Sequence, residues 1–164
     1  MKLLSPLLLA IMHFILLSCK AQKTYIKLVD VKFESIFGST KGNSDQYCLL
    51  GSGFFRAPRA DNTDSLITDW IKKHSDAYLI PISSIKDKAK LTYCWVIDNN
   101  DTLNNFLIKN GCFPGGTMMR PSKGIAEIYI NDKDYATFIE QIKNSETYAK
   151  KRKLGIWIKD DPFD

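Results

Sequence analysis

The sequence predicts an α+β fold, a small antiparallel β-barrel carrying about three helices. Two patterns and their order point there. Residues 25–33, 46–55, 77–85, 91–97 and 125–130 are rich in β-branched and aromatic residues, either alternating with polar ones or in short apolar runs. Residues 62–74, residues 102–110 and a last, long stretch ending near 154 place apolar side chains at helical spacing. Strands, a helix, strands, a helix and a final helix follow one another without internal repeat or low-complexity tract, which suits one core.

Each element has its own signal. The first strand, Tyr25-Ile26-Lys27-Leu28-Val29-Asp30-Val31-Lys32-Phe33, alternates from Val29 to Phe33. Gly38-Ser39-Thr40-Lys41-Gly42-Asn43-Ser44-Asp45 has the composition of a turn, so a loop is expected. Tyr47, Cys48, Leu49, Leu50, Phe54 and Phe55 then mark a buried strand broken by Gly51 and Gly53. Pro58 punctuates a loop, and Asn62 or Thr63 caps a helix with Leu66, Ile67, Trp70 and Ile71 on one face. Pro81 suggests that the strand over 77–85 lies at a sheet edge. Leu91-Thr92-Tyr93-Cys94-Trp95-Val96-Ile97 is strongly β-prone. After the turn Asp98-Asn99-Asn100-Asp101, a helix starts at Thr102, turns Leu103, Phe106 and Leu107 inward, and closes at Gly111. Asn131 or Asp132 caps the last helix, with Tyr135, Phe138, Ile139, Ile142, Ala149 and Leu154 at helical spacing.

Residues 1–18 read as an export signal outside the fold. Lys2 precedes an apolar run over 3–17 that only Ser5, Pro6 and His13 interrupt. The run is shorter than the ~20 residues of a membrane span and suits a secretory signal. Leu16-Leu17-Ser18-Cys19 resembles a bacterial lipobox, which implies that Cys19 becomes the lipidated first residue. Each buried methylene of an acyl chain then adds about 0.8 kcal/mol of membrane affinity. The expected location is the cell envelope, facing the periplasm or the exterior. Cleavage after Ala21, giving a secreted or periplasmic protein, is the alternative.

Residues 19–164 form a short tether and a single domain, since about 145 residues support one core. An apolar content of 45% with 25% charged residues is globular and not disordered. The net charge of +5 permits an anionic partner without demanding one. Lys150-Lys151-Arg152-Lys153 at a helix C-terminus is also ordinary compensation of the helix dipole. Beyond Cys19 the thiols are Cys48, Cys94 and Cys112; an exported chain meets an oxidising compartment, so one disulfide is expected, with at least one thiol staying free or pairing outside the chain. Their spacing does not suit zinc. His74, at a helix end, is expected to be solvated or dipole-favoured and not catalytic.

One longer pattern joins these fragments. The strand over 91–97, a short turn, and Leu103-Asn104-Asn105-Phe106-Leu107-Ile108-Lys109-Asn110-Gly111 are followed by Glu146, Ala149, the basic run and Leu154-Gly155-Ile156-Trp157. In order and spacing this resembles the C-terminal half of the thermonuclease (staphylococcal nuclease-like) family. The resemblance implies an OB-fold-like barrel and calcium-dependent phosphodiester hydrolysis. It also implies an upstream Asp-Gly-Asp-Thr-type turn, an Asp-x-Pro-Glu-type loop and two phosphate-clamping arginines.

The upstream half departs from that pattern. The nearest turn, Phe37-Gly38-Ser39-Thr40, lacks both carboxylates. Arg56-Ala57-Pro58-Arg59 puts Arg56 on the metal-ligand aspartate and Arg59 on the glutamate. Gly51 stands for the first arginine and Lys90 for the second, which keeps a charge and loses the bidentate fork. Guanidinium groups repel a dication, so no metal, cofactor or catalytic residue is assigned.

Arg56, Arg59 and Lys90 are instead candidates for a basic cleft binding phosphate, carboxylate or a single nucleic-acid strand, with Phe54, Phe55 and Tyr93 as stacking aromatics. Ion pairs with Asp61, Asp64 or Asp69, and aromatics in the core, are the plainer expectation. Gly115-Gly116 offers backbone N–H groups to an anion but lacks P-loop context, and Met118-Met119 is a candidate contact patch. The expected function is a non-catalytic envelope module, anchored to the membrane by lipid, that binds an unknown protein or an anionic ligand, nucleic acid among the candidates. The alternatives are a calcium-dependent nuclease recruiting Asp61 or Asp64, and a purely structural envelope protein.

Overall fold

A mixed β-sheet curls into a partial barrel, with helices packed against it. The computed structural model describes residues 25–42, 46–52, 57–85, 91–115 and 126–159; Cys19, Arg56, Lys90, Phe54, Phe55 and Met118-Met119 lie outside them. The strands are β1 (Ile26–Lys27), β2 (Val31–Glu34), β3 (Phe37–Thr40), β4 (Gln46–Leu49), β5 (Tyr78–Ile85), β6 (Leu91–Asp98), β7 (Asp101–Thr102) and β8 (Ala126–Ile128). The described helices are α1 (Thr63–Lys73), α2 (Leu103–Lys109) and α3 (Asp132–Arg152).

The strand order is β1-β5-β6-β4-β3-β2, with β7 on β6 and β8 on β5. Its two ends, β1 and β2, are separated in the chain only by the 3-10 turn Leu28–Asp30. Three residues cannot cross an open sheet of this width, so the sheet has to curl until its edges approach. The single strand expected over 25–33 is therefore two. Leu28 donates its N–H to Ala77 at 2.9 Å, beside β5, whereas Val31 pairs with Thr40 of β3. Val29 turns outward at the break, 72% exposed.

Three expectations are corrected by pairing that turn and edge signals do not report. β3 occupies part of the expected loop. Gly38 sits mid-sheet between Phe33 and Tyr47, where a Cβ would come within 2.8 Å of Val31 Cγ1. Glycine there answers crowding and not a turn. β5 is interior, bonded to β6 on one side and to β1 and β8 on the other. Pro81 falls between the β1 and β8 pairings and at a register shift, so its missing N–H interrupts no ladder. The barrel is also not wholly antiparallel: β4 runs parallel to β6, because α1 and β5 intervene as the crossover.

The helices match their periodicity closely. α1 buries Ile67 and Trp70, and α3 buries Tyr135, Ile142 and Ala149. Phe138 of α3 stacks on Trp95 of β6 at 4.5 Å between centroids. Thr102 caps α2 by accepting from the Asn105 N–H, and Asn131 caps α3 by accepting from the Asp134 N–H. Leu154 lies beyond α3, which ends at a left-handed Lys153. Leu49, Leu50, Leu79, Ile82, Trp95, Val96, Leu103, Leu107 and Ile108 are fully buried, each contributing about 1.5–3 kcal/mol through burial.

The turns after α2 and α3 touch backbone to backbone. A Cβ on Gly111 would lie 2.0 Å from the Leu154 carbonyl oxygen, and one on Gly155 would lie 2.2 Å from that of Gly111. The Ile156 N–H donates to the Gly111 carbonyl at 2.9 Å. Both glycines also have positive φ, +71° and +54°. The glycines of the two sequence fragments thus belong to one contact.

Asn104 ties these layers together. Its side chain is buried, its Oδ1 accepts from the Val96 N–H at 2.9 Å, and its Nδ2 donates to the Leu50 and Cys94 carbonyls at 2.8 and 3.1 Å. Asn104→Ala leaves the Val96 N–H and the Leu50 carbonyl without this partner. At ~1–3 kcal/mol per orphaned buried group the expected loss is about 2–4 kcal/mol. It should appear as a lower urea midpoint at unchanged slope. A loss below about 1 kcal/mol would contradict the role given to this amide.

Candidate functional site

A cleft of about 510 Å³ opens where the β2–β3 turn, the end of β4, the loop before α1 and the segment after α2 converge. Ile36, Phe37 and Phe113 form apolar wall, and Ser52, Arg59, Asp61, Thr63 and Asp64 supply polar groups. The Ala60 N–H donates to the Cys112 carbonyl at 3.2 Å, pinning the loop to the segment after α2. Buried Thr63 donates its hydroxyl to the Ala60 carbonyl at 2.6 Å, fixing the start of α1 against that loop.

Arg59 reaches into this cleft, donates to the Ser35 hydroxyl and stands 3.9 Å from the Asp64 carboxylate. The pairing foreseen among Asp61, Asp64 and Asp69 is thus found at Asp64; Asp61 lines the same cleft and Asp69 lines another. Both side chains of the pair are exposed by about half, 46% and 62%. Such a pair is worth roughly 0–1 kcal/mol. It orients the guanidinium without consuming it.

The cleft residues do not fit calcium. Calcium takes six to eight oxygen ligands, several of them carboxylates. The described cleft offers Asp61 and Asp64 beside a guanidinium. Among the described residues no three His, Cys, Asp or Glu side chains stand together as a metal site. Gly51, where the resemblance implies a phosphate-clamping arginine, has φ +91°, and a Cβ there would meet Ile108 Cδ1 at 2.6 Å. That position packs against the helices and has no room for a long side chain.

Other sequence candidates separate from the cleft. Tyr93 is buried in the core and offers no stacking platform. His74 is partly buried and has a specific partner. Its Nδ1 lies 2.8 Å from Asp98 Oδ2, its ring stacks on Trp70 at 4.1 Å, and the His74 and Asp98 side chains are each 20% exposed. It latches the end of α1 to the end of β6, beside a groove of about 390 Å³ between α1 and α2. Sequence reading missed this contact because its partner is distant in the chain and the local pattern reads only as a helix end.

The expected disulfide is absent: Cys48, Cys94 and Cys112 are free and buried. Cys48 registers with Tyr93, and Cys94 with Leu49. The two thiols thus occupy successive rows, whose side chains leave opposite faces of the sheet. Burial raises the Cys48 and Cys94 thiol pKa values; burial also pushes Cys112 up to about 11, against a smaller lowering by the Thr63 hydrogen bond. A raised thiol pKa means less thiolate, so alkylation at pH 8 of these three thiols should be at least about tenfold slower in the folded protein than in denaturant. Rapid labelling of the folded chain, or a Cys48–Cys94 disulfide in its peptide map, would contradict the buried dithiol arrangement.

No family model matches the chain, and no curated protein matches it by sequence. No helix among the described residues is long and apolar enough to cross a membrane.

Proposed function

We propose that this is an exported, lipid-anchored envelope protein with a thermonuclease-like, OB-type barrel that binds an anionic ligand without cleaving it. The barrel part of this reading draws support from the strand order, the parallel β4–β6 pair and the interrupted first strand that serves both sheet edges. An OB-type barrel combines just these: a meander, a crossover and a shared first strand. The observation that carries the binding part is Arg59, a half-exposed guanidinium in the cleft at the position where the resemblance implies a carboxylate. Arg56 and Lys90 are its proposed companions on sequence grounds. A ligand anion has only the weak Asp64 pair and the Ser35 bond to displace, and gains a charge-assisted hydrogen bond in their place.

A competing reading, a calcium-dependent phosphodiesterase, is kept open by Asp61 and Asp64 lining the same cleft. The two separate in one assay. Purified protein with single-stranded DNA and calcium is expected to bind weakly, in a salt-sensitive way, and to leave the strand intact. Arg59→Ala should weaken that binding about fivefold, near 1 kcal/mol for one such hydrogen bond. Calcium-dependent cleavage lost in Arg59→Ala would sink the binding reading, and no binding at all would favour a structural role.

The anchor has its own test. Intact-mass analysis of the membrane-extracted protein should give an acylated Cys19 as the first residue. A chain beginning at Gln22 would instead mean ordinary cleavage and a released protein.

A further inference from the structure

We infer that the anionic partner is a linear phosphate polyanion, held by the Arg59 cleft and by a second cationic surface at the C-terminal ends of α2 and α3. The inference rests on the anion-binding reading of the cleft and extends it. The cleft alone is poorly charged for an anion, with one described guanidinium against Asp61 and Asp64. A partner that binds usefully has to find positive charge elsewhere.

That charge lies at one end of the helix pair. Lys109 Nζ stands 4.9 Å from the centre of the Tyr148 ring, and the Arg152 guanidinium stands 5.6 Å from the same ring. Two cations from different helices thus share one aromatic side chain, which is itself 41% exposed. Neither they nor exposed Lys151 make an ion pair among the described residues, whereas Lys150 is engaged at 2.6 Å by Glu146. Two helix C-termini carry together about one negative charge. Lys109, Lys151 and Arg152 therefore exceed what the dipoles offset by about two charges. The surplus has no partner in the described fold, and an anion supplies one.

This surface and the cleft are close neighbours. Phe113, which lines the Arg59 cleft, follows Lys109 by four residues, so the backbone step between them spans at most about 14 Å. A single phosphate cannot touch both; a chain of phosphates can. The anchoring bilayer is a poorer match. Tyr25, where the described chain begins, packs on Tyr78, which registers with Ile97, which registers with Thr102 at the N-terminus of α2. Lys109 lies at the far end of that helix, roughly 10 Å along its axis. The described path from Tyr25 thus reaches the N-terminus of α2, whereas the cationic surface lies at its C-terminus.

The test uses detergent-solubilised protein and a fluorescent long-chain inorganic polyphosphate, competed by tripolyphosphate and by orthophosphate. Affinity is expected to rise at least tenfold from tripolyphosphate to the long chain. The Lys109→Ala/Arg152→Ala variant should lose at least fivefold and flatten the dependence of log affinity on log salt by about 1 to 2, as fewer counterions are released. Lys133→Ala, at the opposite end of α3, should change neither, and Lys109→Arg/Arg152→Lys should retain binding. Length-independent affinity, an unchanged salt slope in the double alanine variant, or binding to phosphatidylglycerol vesicles but not to polyphosphate overturns the inference. Loss of binding in Arg59→Ala alone, with the double variant intact, overturns the second surface and leaves the cleft standing. The reverse pattern removes the cleft and leaves the surface.

Discussion

The fold depends on one buried carboxamide. Asn104 satisfies the Val96 N–H of β6 and donates to carbonyls at the end of β4 and within β6, while its own backbone belongs to the first turn of α2. Among the described strands β4 and β6 are the one parallel pair, and they are not joined by a hairpin that would set their register. The amide supplies that register from outside the ladder. A leucine of similar size would fill the volume and leave buried peptide groups unpaired, which is the costly side of the hydrogen-bond asymmetry.

Everything that shapes the cleft descends from that junction. Fixing Leu50 fixes the left-handed Gly51 against Ile108 and Ile142, and with it the departure of the chain toward Ser52. Fixing α2 fixes Gly111, whose contact with Gly155 sets the end of α3. The two helices consequently finish side by side, and their negative dipole ends add at one place. Lysine and arginine are favoured there on dipole grounds alone. Their excess over that requirement is the part that calls for a partner, and Tyr148 holds two of them at a defined spacing.

Periodic signals in the sequence were legible because they report on a face, and a face is what a helix or central strand buries. The spacing of Ile67 and Trp70, of Tyr135, Ile142 and Ala149, and the run from Leu91 to Ile97 each matched the burial found. Signals read from single residue types failed where pairing overrode them. Gly38 looked like a turn and is a point of close approach between strands. Pro81 looked like an edge and sits in the gap between two neighbouring strands. The candidate site was half legible. Arg59 stood out by type, but its Ser35 and Asp64 partners follow from how the β2–β3 turn meets the loop before α1. The His74–Asp98 latch and the second cationic surface depend on distances between elements that no local window contains.

The chemistry of the cleft argues for weak binding put to use by proximity. A dication meets a guanidinium already placed between the hydroxyl and carboxylate that would have to receive it. A monoanion meets two carboxylates beside that same guanidinium. Neither is bound tightly by such a site, whereas a multivalent anion engaging two modest cationic sites converts the second contact into an intramolecular one. On the anchored reading the tether adds a further term, since it confines the domain near the membrane and raises its local concentration toward any polymer held there. Affinity too low to matter for a freely diffusing protein is then sufficient. On the proposed reading, a cleft whose two carboxylates stand beside a guanidinium suits salt-sensitive holding of a phosphate chain better than calcium-dependent cleavage of it.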